Sequence, residues 1–345
     1  MTIPVDYFFW DPVSQASVLG AAAVVSNING PENTGIERFV TSMYIPGDAN
    51  ACEFDISGQG YTDVWVRVLQ MANGVTADIP FLELIGDQGN TLARLVSVGT
   101  SGDWKVEYNN GAGFTQVGSN ITTQSINTGF SFARLIEVHF VLSNSGELTV
   151  YEQGGELVSV TATDTLNTAD TTIDTLKLTG PSNNASWAQF GGVCVDGADL
   201  RTLRLDAQIP NNDGGETDFV NNRFYVDEHV GGFNDADFIL TDAAGENETF
   251  LFPPLSALVD GASVDGVCLL FRARAVTDPG LFLRGIGRRA GSNYDGDNSE
   301  QPVAAGGFSS RYKLDFLNNP ETAAAWTDQA EVEAMEFGFN SRATA

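Results

Sequence analysis

Two stretches of the chain carry oxygen donors close enough together to suggest cation binding. In Asp295-Gly-Asp297-Asn298-Ser-Glu300, the carboxylates of Asp295, Asp297 and Glu300 fall within one turn-like segment. Oxygen-rich turns of this kind suit Ca²⁺, which takes carboxylate and carbonyl ligands from flexible loops. Asp213, Glu216 and Asp218 form a sparser second set. The Asp295 segment is shorter than a full Ca²⁺ loop, so a solvated acidic turn is the competing reading. Transition-metal chemistry has less to draw on. His139 and His229 are the only histidines, and Cys52, Cys194 and Cys268 are far apart, which suits neither a zinc site nor a disulfide framework. The cysteines sit among strand-like residues and are expected as buried free thiols. The shortage of histidine also argues against a His-based nucleophile. His139 is expected as a half-buried strand residue and His229 as part of the acidic loop after Asp227-Glu228.

Sugar chemistry has better material. Trp65, Trp104, Tyr108 and Trp187 could each stack on a pyranose ring. Trp104 and Tyr108 share a strand face with Val106, and the Asn109-Asn110-Gly111 tip beyond them offers amide groups. Trp104, Tyr108, Asn109 and Asn110 are therefore candidate ligand contacts, with core packing as the alternative for the two rings. Glycan cleavage on a sheet commonly needs carboxylates in a Glu-x-Asp-x-x-Glu pattern, since same-face spacing lets one act as nucleophile and another as acid. The nearest match, Glu53-Phe-Asp55, lacks the third acid, so a non-enzymatic protein is expected. Arg272, Arg274, Arg284, Arg288 and Arg289 gather in an otherwise acidic chain. Arginine is the preferred interface cation, which makes this group a candidate docking surface. Pairing across adjacent strands is the alternative.

The elements that must position these residues are strands. Arg134-Leu142, Glu147-Glu152 and Glu156-Ala162 alternate apolar and polar residues, with Ser-Asn-Ser-Gly and Gln-Gly-Gly in the gaps. Period-two patterning buries one face of a pleated strand and glycine-rich gaps reverse the chain, so this is an antiparallel meander. Ile136, Val138, Phe140 and Leu142 share one face, continued by Leu148 and Val150. Further strands are predicted at 38–45, 61–69, 81–85, 91–98, 104–108, 172–178 and 187–195. So many hairpin-spaced strands bury their faces by packing sheet on sheet, giving a β-sandwich over 31–205. Residues 207–222, rich in Asn, Asp, Gly and Pro, read as a linker or entry loop. Strands recur at 224–227, 237–241, 249–252, 266–276, 281–288 and 311–316. Asp328-Gln-Ala-Glu331 makes an N-cap with a capping-box Glu, and Val332, Met335 and Phe339 fall at helical spacing, which predicts one short helix over about 328–336. The chain is all-β: a sandwich followed by a smaller β-domain over 206–345 that ends in this helix.

Length and charge bound the rest. A chain of 345 residues exceeds the usual span of one core. A formal charge of −28 excludes sequence-independent nucleic-acid binding, which requires a basic surface to displace phosphate counterions, and disfavours an anionic membrane. The N-terminus has no basic region, and Ala21–Val25 is too short for a signal core or a membrane span, so synthesis in a cytoplasm without a signal peptide is expected. Residues 1–30 read as a docking arm through Tyr7, Phe8, Phe9 and Trp10, with a first strand of the sandwich as the equal alternative.

With the strands placed, the first domain resembles the concanavalin A-like, laminin-G-like jelly rolls. The residues that carry this are Phe132-Ala-Arg-Leu-Ile-Glu-Val-His-Phe140, the hairpin Ser145-Gly-Glu-Leu-Thr-Val-Tyr-Glu-Gln-Gly-Gly-Glu-Leu-Val158 and Thr172-Ile-Asp-Thr-Leu-Lys-Leu178. Domains of that kind often hold Ca²⁺ in end loops, so Ca²⁺ is the one cofactor the resemblance implies. The second half resembles C-terminal regions of tailed-bacteriophage virion proteins. The stretches are Asp199-Leu-Arg-Thr-Leu-Arg-Leu205, Val226-Asp-Glu228, Gly266-Val-Cys-Leu-Leu-Phe-Arg-Ala-Arg-Ala275 and Asn319-Pro-Glu-Thr-Ala-Ala-Ala-Trp-Thr327 running into Glu336-Phe-Gly-Phe339. What the resemblance implies is a virion structural component of tail, fibre or capsid decoration. It would be a homo-oligomer among other virion proteins, docked by its arm and arginines, with the jelly roll outward for host-glycan contact. A carbohydrate-binding adhesin proper is the alternative, and a polysaccharide-degrading enzyme a more distant one.

Overall fold

The computed structural model describes residues 7–9, 17–19, 23–25, 42–46, 50–73, 78–99, 102–122, 134–166, 169–181, 187–203, 206, 208–221, 238–255, 263–274, 281–297, 301–303 and 311–343. The chain divides into two compact units, Val5–Leu205 and Asp206–Ala345 with Met1–Pro4.

The first unit contains β1 (Tyr7–Phe9), β2 (Ser17–Leu19), β3 (Ala23–Val25), β4 (Ser42–Pro46), β5 (Ala51–Asp55), β6 (Asp63–Asn73), β7 (Pro80–Gly86), β8 (Thr91–Val98) and β9 (Asp103–Asn109). It continues with β10 (Phe114–Ile121), β11 (Arg134–Val141), β12 (Gly146–Glu152), β13 (Gly155–Thr163), β14 (Ile173–Thr179) and β15 (Trp187–Asp196). An eight-stranded antiparallel sheet runs β13-β12-β11-β6-β15-β4-β3, with β1 also on β15; a seven-stranded sheet runs β10-β9-β8-β7-β14-β5-β2. Val64, Val66 and Val68 of β6, Ile136, Val138 and Phe140 of β11, and Leu148 and Val150 of β12 share one core with Leu82, Leu84, Leu95, Trp104, Val106, Leu176 and Leu178 of the other sheet. This is the jelly-roll sandwich the alternation predicts, because period-two side chains from both sheets meet between them.

The three described N-terminal strands belong to this sandwich, as the alternative to a docking arm expects. Tyr7–Phe9 pairs with Val193–Val195, Ser17–Leu19 with Ala51–Glu53, and Ala23–Val25 with Ser42–Tyr44. Those backbone groups complete the sheet ladders, which outweighs any pull of the aromatic side chains toward an outside surface. Trp10 lies outside the described residues. β10 was not foreseen either, and it lies at one end of the seven-stranded sheet with a register shift between Val117 and Ile121. Gly118 sits there at φ +62, a left-handed conformation that glycine adopts without strain. At one end of the other sheet, β13 is broken by two register shifts against β12.

One buried carboxylate ties the β7–β8 hairpin to the start of β14. Asp170, 2% exposed, accepts hydrogen bonds from Gln88 N and Asn90 Nδ2, both at 2.8 Å. Nearby Asp87 accepts from Thr171 N at 2.7 Å, and this bond, with others from Gln88, Thr171 and Thr172, holds its carboxyl down at about 2. Asp170→Ala leaves two donors without their acceptor and is expected to lower stability by ~1–3 kcal/mol, read as a shifted urea midpoint at unchanged slope.

The second unit contains β16 (Asn212–Thr217), β17 (Asn247–Leu251), β18 (Val267–Arg272), β19 (Leu281–Arg289), β20 (Ser292–Asp295), β21 (Gln301–Pro302), β22 (Arg311–Phe316), β23 (Asn318–Asn319), β24 (Ala324–Ala325) and β25 (Glu336–Ala343). A six-stranded sheet runs β16-β17-β25-β19-β20 with β21 on β19, alongside two-stranded pairs β18-β22 and β23-β24. The expected linker is therefore partly strand: Asn212 and Asp213 pair with Leu251 and Phe250. The expected strand at 224–227 lies outside the described residues. The helix α1 (Gln329–Glu333) starts as the capping box predicts, with Asp328 accepting from Glu331 N at 3.1 Å. It ends sooner than expected, because Phe337 and Phe339 pair with Phe250 and Glu248 in the sheet. Phe316, Trp326, Met335 and Phe337 form the core. Gly285 lets Phe316 lie against the sheet, since a Cβ there would meet the Phe316 ring at 2.9 Å. Among the described residues no helix is long and apolar enough to cross a membrane.

Candidate functional site

The outward face of the eight-stranded sheet holds two rows of side chains in register across its strands. One row is Asp196, Trp65, His139, Thr149 and Ser159, on β15, β6, β11, β12 and β13. The adjoining row is Cys194, Arg67, Glu137, Tyr151 and Glu156. Alternation puts both on the face opposite the Val64–Val66–Val68 core side.

Trp65 stacks on His139 with centroids 4.3 Å apart and a 9° interplanar angle, and on Tyr151 at 5.6 Å and 24°. The imidazole is fixed between two acids: Nε2 lies 2.9 Å from Asp63 Oδ1 and Nδ1 lies 3.1 Å from Glu147 Oε1. Glu147 also accepts from Thr149 Oγ1 at 2.7 Å, and Thr149 and Ser159 share a hydrogen bond of 2.8 Å. Arg67 and Glu137 are both fully buried, and Glu137 accepts from Gly154 N at 3.1 Å. Burial pushes the Cys194 thiol up to about 11, so it is not a nucleophile.

A turn over 197–203 closes one side of the face. Asp196 Oδ1 accepts from Ala198 N at 2.7 Å and Leu203 N donates to Leu200 O at 3.1 Å, which folds the turn back over the strands. Leu200 is buried with Trp65, Tyr151 and Cys194, and Leu203 packs beside them. Arg201 then lays its guanidinium over the aromatic pair, with Cζ 4.7 Å from the Tyr151 centroid and 5.2 Å from that of Trp65. Its Nε donates to both Asp199 oxygens at 2.9 Å, and this contact holds the Asp199 carboxyl below the usual carboxylate range. Burial pushes the Tyr151 phenol up. The two rings are thus covered in this structure, Trp65 at 7% and Tyr151 at 8% exposure, and the groups left at the surface are the Asp63 and Asp199 carboxylates and the Ser159 hydroxyl, acceptors of the kind a polyol ligand uses.

Other residues singled out from sequence lie elsewhere. Trp104 and Tyr108 point into the sandwich core: Trp104 is 1% exposed and meets Phe81 edge-on at 5.9 Å, and the Tyr108 hydroxyl is 3.1 Å from Thr163 Oγ1. They are packing residues, because inward positions of β9 face the opposite sheet. Asn109 and Asn110 shape the following turn, accepting from Gly111 N at 2.9 Å and Ala112 N at 3.1 Å. Trp187 pairs through its backbone with Asn73 and Pro46. Glu53 lies on the outward face of the seven-stranded sheet, in a register row Glu53–Lys177–Glu83–Arg94–Glu107 whose charges alternate across five strands.

Of the expected calcium turn, two of the three carboxylates are described. Asp295 lies 2.7 Å from Arg342 Nη2 and 3.3 Å from Arg284 Nη1, and Asp297 accepts from Asn318 N at 2.6 Å; Glu300 lies outside the described residues. Among the described residues no three His, Cys, Asp or Glu side chains are placed together to hold a metal ion. The arginine patch is paired within the chain. Arg288 contacts Glu216 at 3.2 Å and Glu336 at 3.0 Å, Arg289 contacts Glu321 at 2.8 Å, and Arg274 lies over Phe238 at 6.0 Å. Arg272 pairs with Arg311 through the backbone. Arg284, Arg288 and Arg289 thus pair their charge with carboxylates of their own chain, Arg288 with its cross-strand neighbour Glu336. Cys268 is exposed rather than buried, with Sγ 2.9 Å from Asp315 Oδ1.

No protein-family model and no curated protein matches this sequence. Among solved structures, an endo-β-1,4-glucuronan lyase from the fungus Trichoderma reesei is similar at 11% identity and TM-score 0.38, covering 57% of this chain and 92% of its own. The cellulose-induced protein Cip1 is similar at 8% identity and TM-score 0.38, covering 54% and 92%. The binding domain of botulinum neurotoxin serotype C1 is similar at 8% identity and TM-score 0.40, covering 96% and 94%. These likenesses lie at the level of β-sandwich architecture, and no functional residue is carried over from them.

Proposed function

We propose that this protein is a non-enzymatic virion component, in a tail, fibre or decoration position, that touches host-surface glycan through the outward face of its eight-stranded sheet. It works among other virion proteins and further copies of itself. The virion setting rests on the sequence stretches at 199, 226, 266 and 319. The glycan contact rests on one observation: Trp65, His139 and Tyr151 form a continuous aromatic layer, covered at rest by the 197–203 turn and rimmed by Asp63, Glu147 and Ser159 on adjacent strands. Rings carry the apolar face of a sugar while carboxylates accept from its hydroxyls.

The test is calorimetric titration of the full chain with host-surface polysaccharide. Saturable binding is expected, and Asp63→Asn with Glu147→Gln should weaken it by about tenfold or more, since each removes a charged acceptor worth ~1.5–3 kcal/mol. Absence of saturable binding, or binding indifferent to both substitutions, refutes the glycan contact. Imaging of intact particles with labelled protein tests the virion position separately.

A further inference from the structure

Arg201 is the one strongly basic side chain that reaches the aromatic layer from a turn instead of a strand. Its guanidinium lies over two rings and is gripped by one carboxylate, an arrangement that recognises a cation. Resting on the glycan reading above, we propose that this pocket takes the protonated amine of an amino-sugar polymer and that Arg201 is its built-in competitor. When ligand arrives, the exposed Arg201 side chain swings aside while buried Leu200 keeps the turn in place, and the ligand's ammonium takes the guanidinium's position over Trp65 and Tyr151 beside Asp199.

The balance of charge favours such a ligand. Asp63, Glu137, Glu147, Glu156, Asp196 and Asp199 are on this face or its turn, against Arg67 and Arg201. Withdrawing Arg201 leaves the carboxylates in clear excess. A chain of formal charge −28 repels uronic-acid polymers at long range and draws in polycations. Displacement is easy: the Arg201 and Asp199 side chains are 37% and 41% exposed, and exposed ion pairs and exposed cation–π contacts are each worth about fivefold or less in an equilibrium constant. A glycan is favoured over a basic peptide because the exposed Ser159 hydroxyl and the exposed Asp63 carboxylate flank the layer, and a string of sugar hydroxyls can use them.

The experiment is titration of the full chain at pH 6 in about 0.15 M salt, which screens non-specific attraction. The probes are a β-1,4-linked glucosamine hexamer, the fully N-acetylated hexamer and an arginine hexapeptide. The expected result is one saturable site for the glucosamine hexamer, with the N-acetylated form at least tenfold weaker. Arg201→Gln should tighten glucosamine binding about fivefold by removing the competitor, Arg201→Ala should act in the same direction, and Tyr151→Leu should abolish it. Asp242→Asn, in the other unit, should leave it unchanged. Equal binding of the two hexamers overturns this proposal and leaves the glycan reading standing. Binding of neither overturns this proposal, and the glycan reading then stands or falls on the host-polysaccharide titration alone. Tighter binding of the peptide, or no gain from either Arg201 variant, also overturns it.

Discussion

Trp104→Ala is expected to cost the first unit ~3–5 kcal/mol, a large share of the ~5–15 kcal/mol by which domains are usually stable. The indole is 1% exposed and fills space between the two sheets, with Phe81 against its edge. Deleting it removes buried contact area and leaves a cavity that paired strands cannot collapse into. Urea unfolding followed by far-ultraviolet circular dichroism would read the loss. Sugar binding per folded molecule should stay as it was, because the ring faces inward and the proposed contact faces outward. A variant as stable as the parent but deficient in binding would return Trp104 to the role of a sugar platform.

Glu248→Gln should remove a pH dependence from the second unit. Glu248 is fully buried on the sheet face it shares with Phe250, Phe337 and Phe339. It accepts from Phe219 N at 3.2 Å, and its other oxygen has no partner among the described residues. Burial, reinforced by Asp213 and Asp218, raises its carboxyl to about 7 from an ordinary value of 4.5. The folded state therefore binds this proton more tightly than the unfolded state. That contribution is complete below about pH 4.5 and is lost as pH rises through 7, in total ~3 kcal/mol. The parent should lose hydrogen-exchange protection over 212–219 and 247–251 between pH 5 and 8 relative to Glu248→Gln, which keeps an acceptor for Phe219 N without ever ionising. Matching protection profiles across that interval would show that Glu248 does not titrate there.

How far the fold could be read depended on whether burial was one-sided. In β11, Ile136, Val138 and Phe140 alternate with residues of the other face, and the pattern alone gives both strand and core side. β10 escaped because only Val117 and Ile121 turn inward along Phe114–Ile121, with a register shift between them, so no alternation survives. β16 escaped because Asn-Asp-Gly-Gly-Glu-Thr has linker composition; it is strand because β17 supplies ladder partners and Arg288 meets Glu216. Phe339 fits a helical spacing as well as a strand, and its pairing to Glu248 and Gly285 decides the matter. The site was harder. Trp65 was recognisable as a stacking residue and His139 as a half-buried strand residue. Their meeting follows from the β6–β11 register, set by the whole sheet rather than by local sequence. Arg201 sits in a turn whose landing place no periodicity encodes. Trp104 and Tyr108 carried the same residue types as a sugar site but on the inward parity of their strand.

The irregular backbone of β10 and β13 also limits how copies of this chain can associate. A straight, complete strand at a sheet margin offers a ladder of open amides onto which a neighbour's strand can zip. Here each margin bends out of register before such a ladder can extend. Along these two strands, crowded copies therefore meet through side chains, which gives the fibrillar route no seed on either of them.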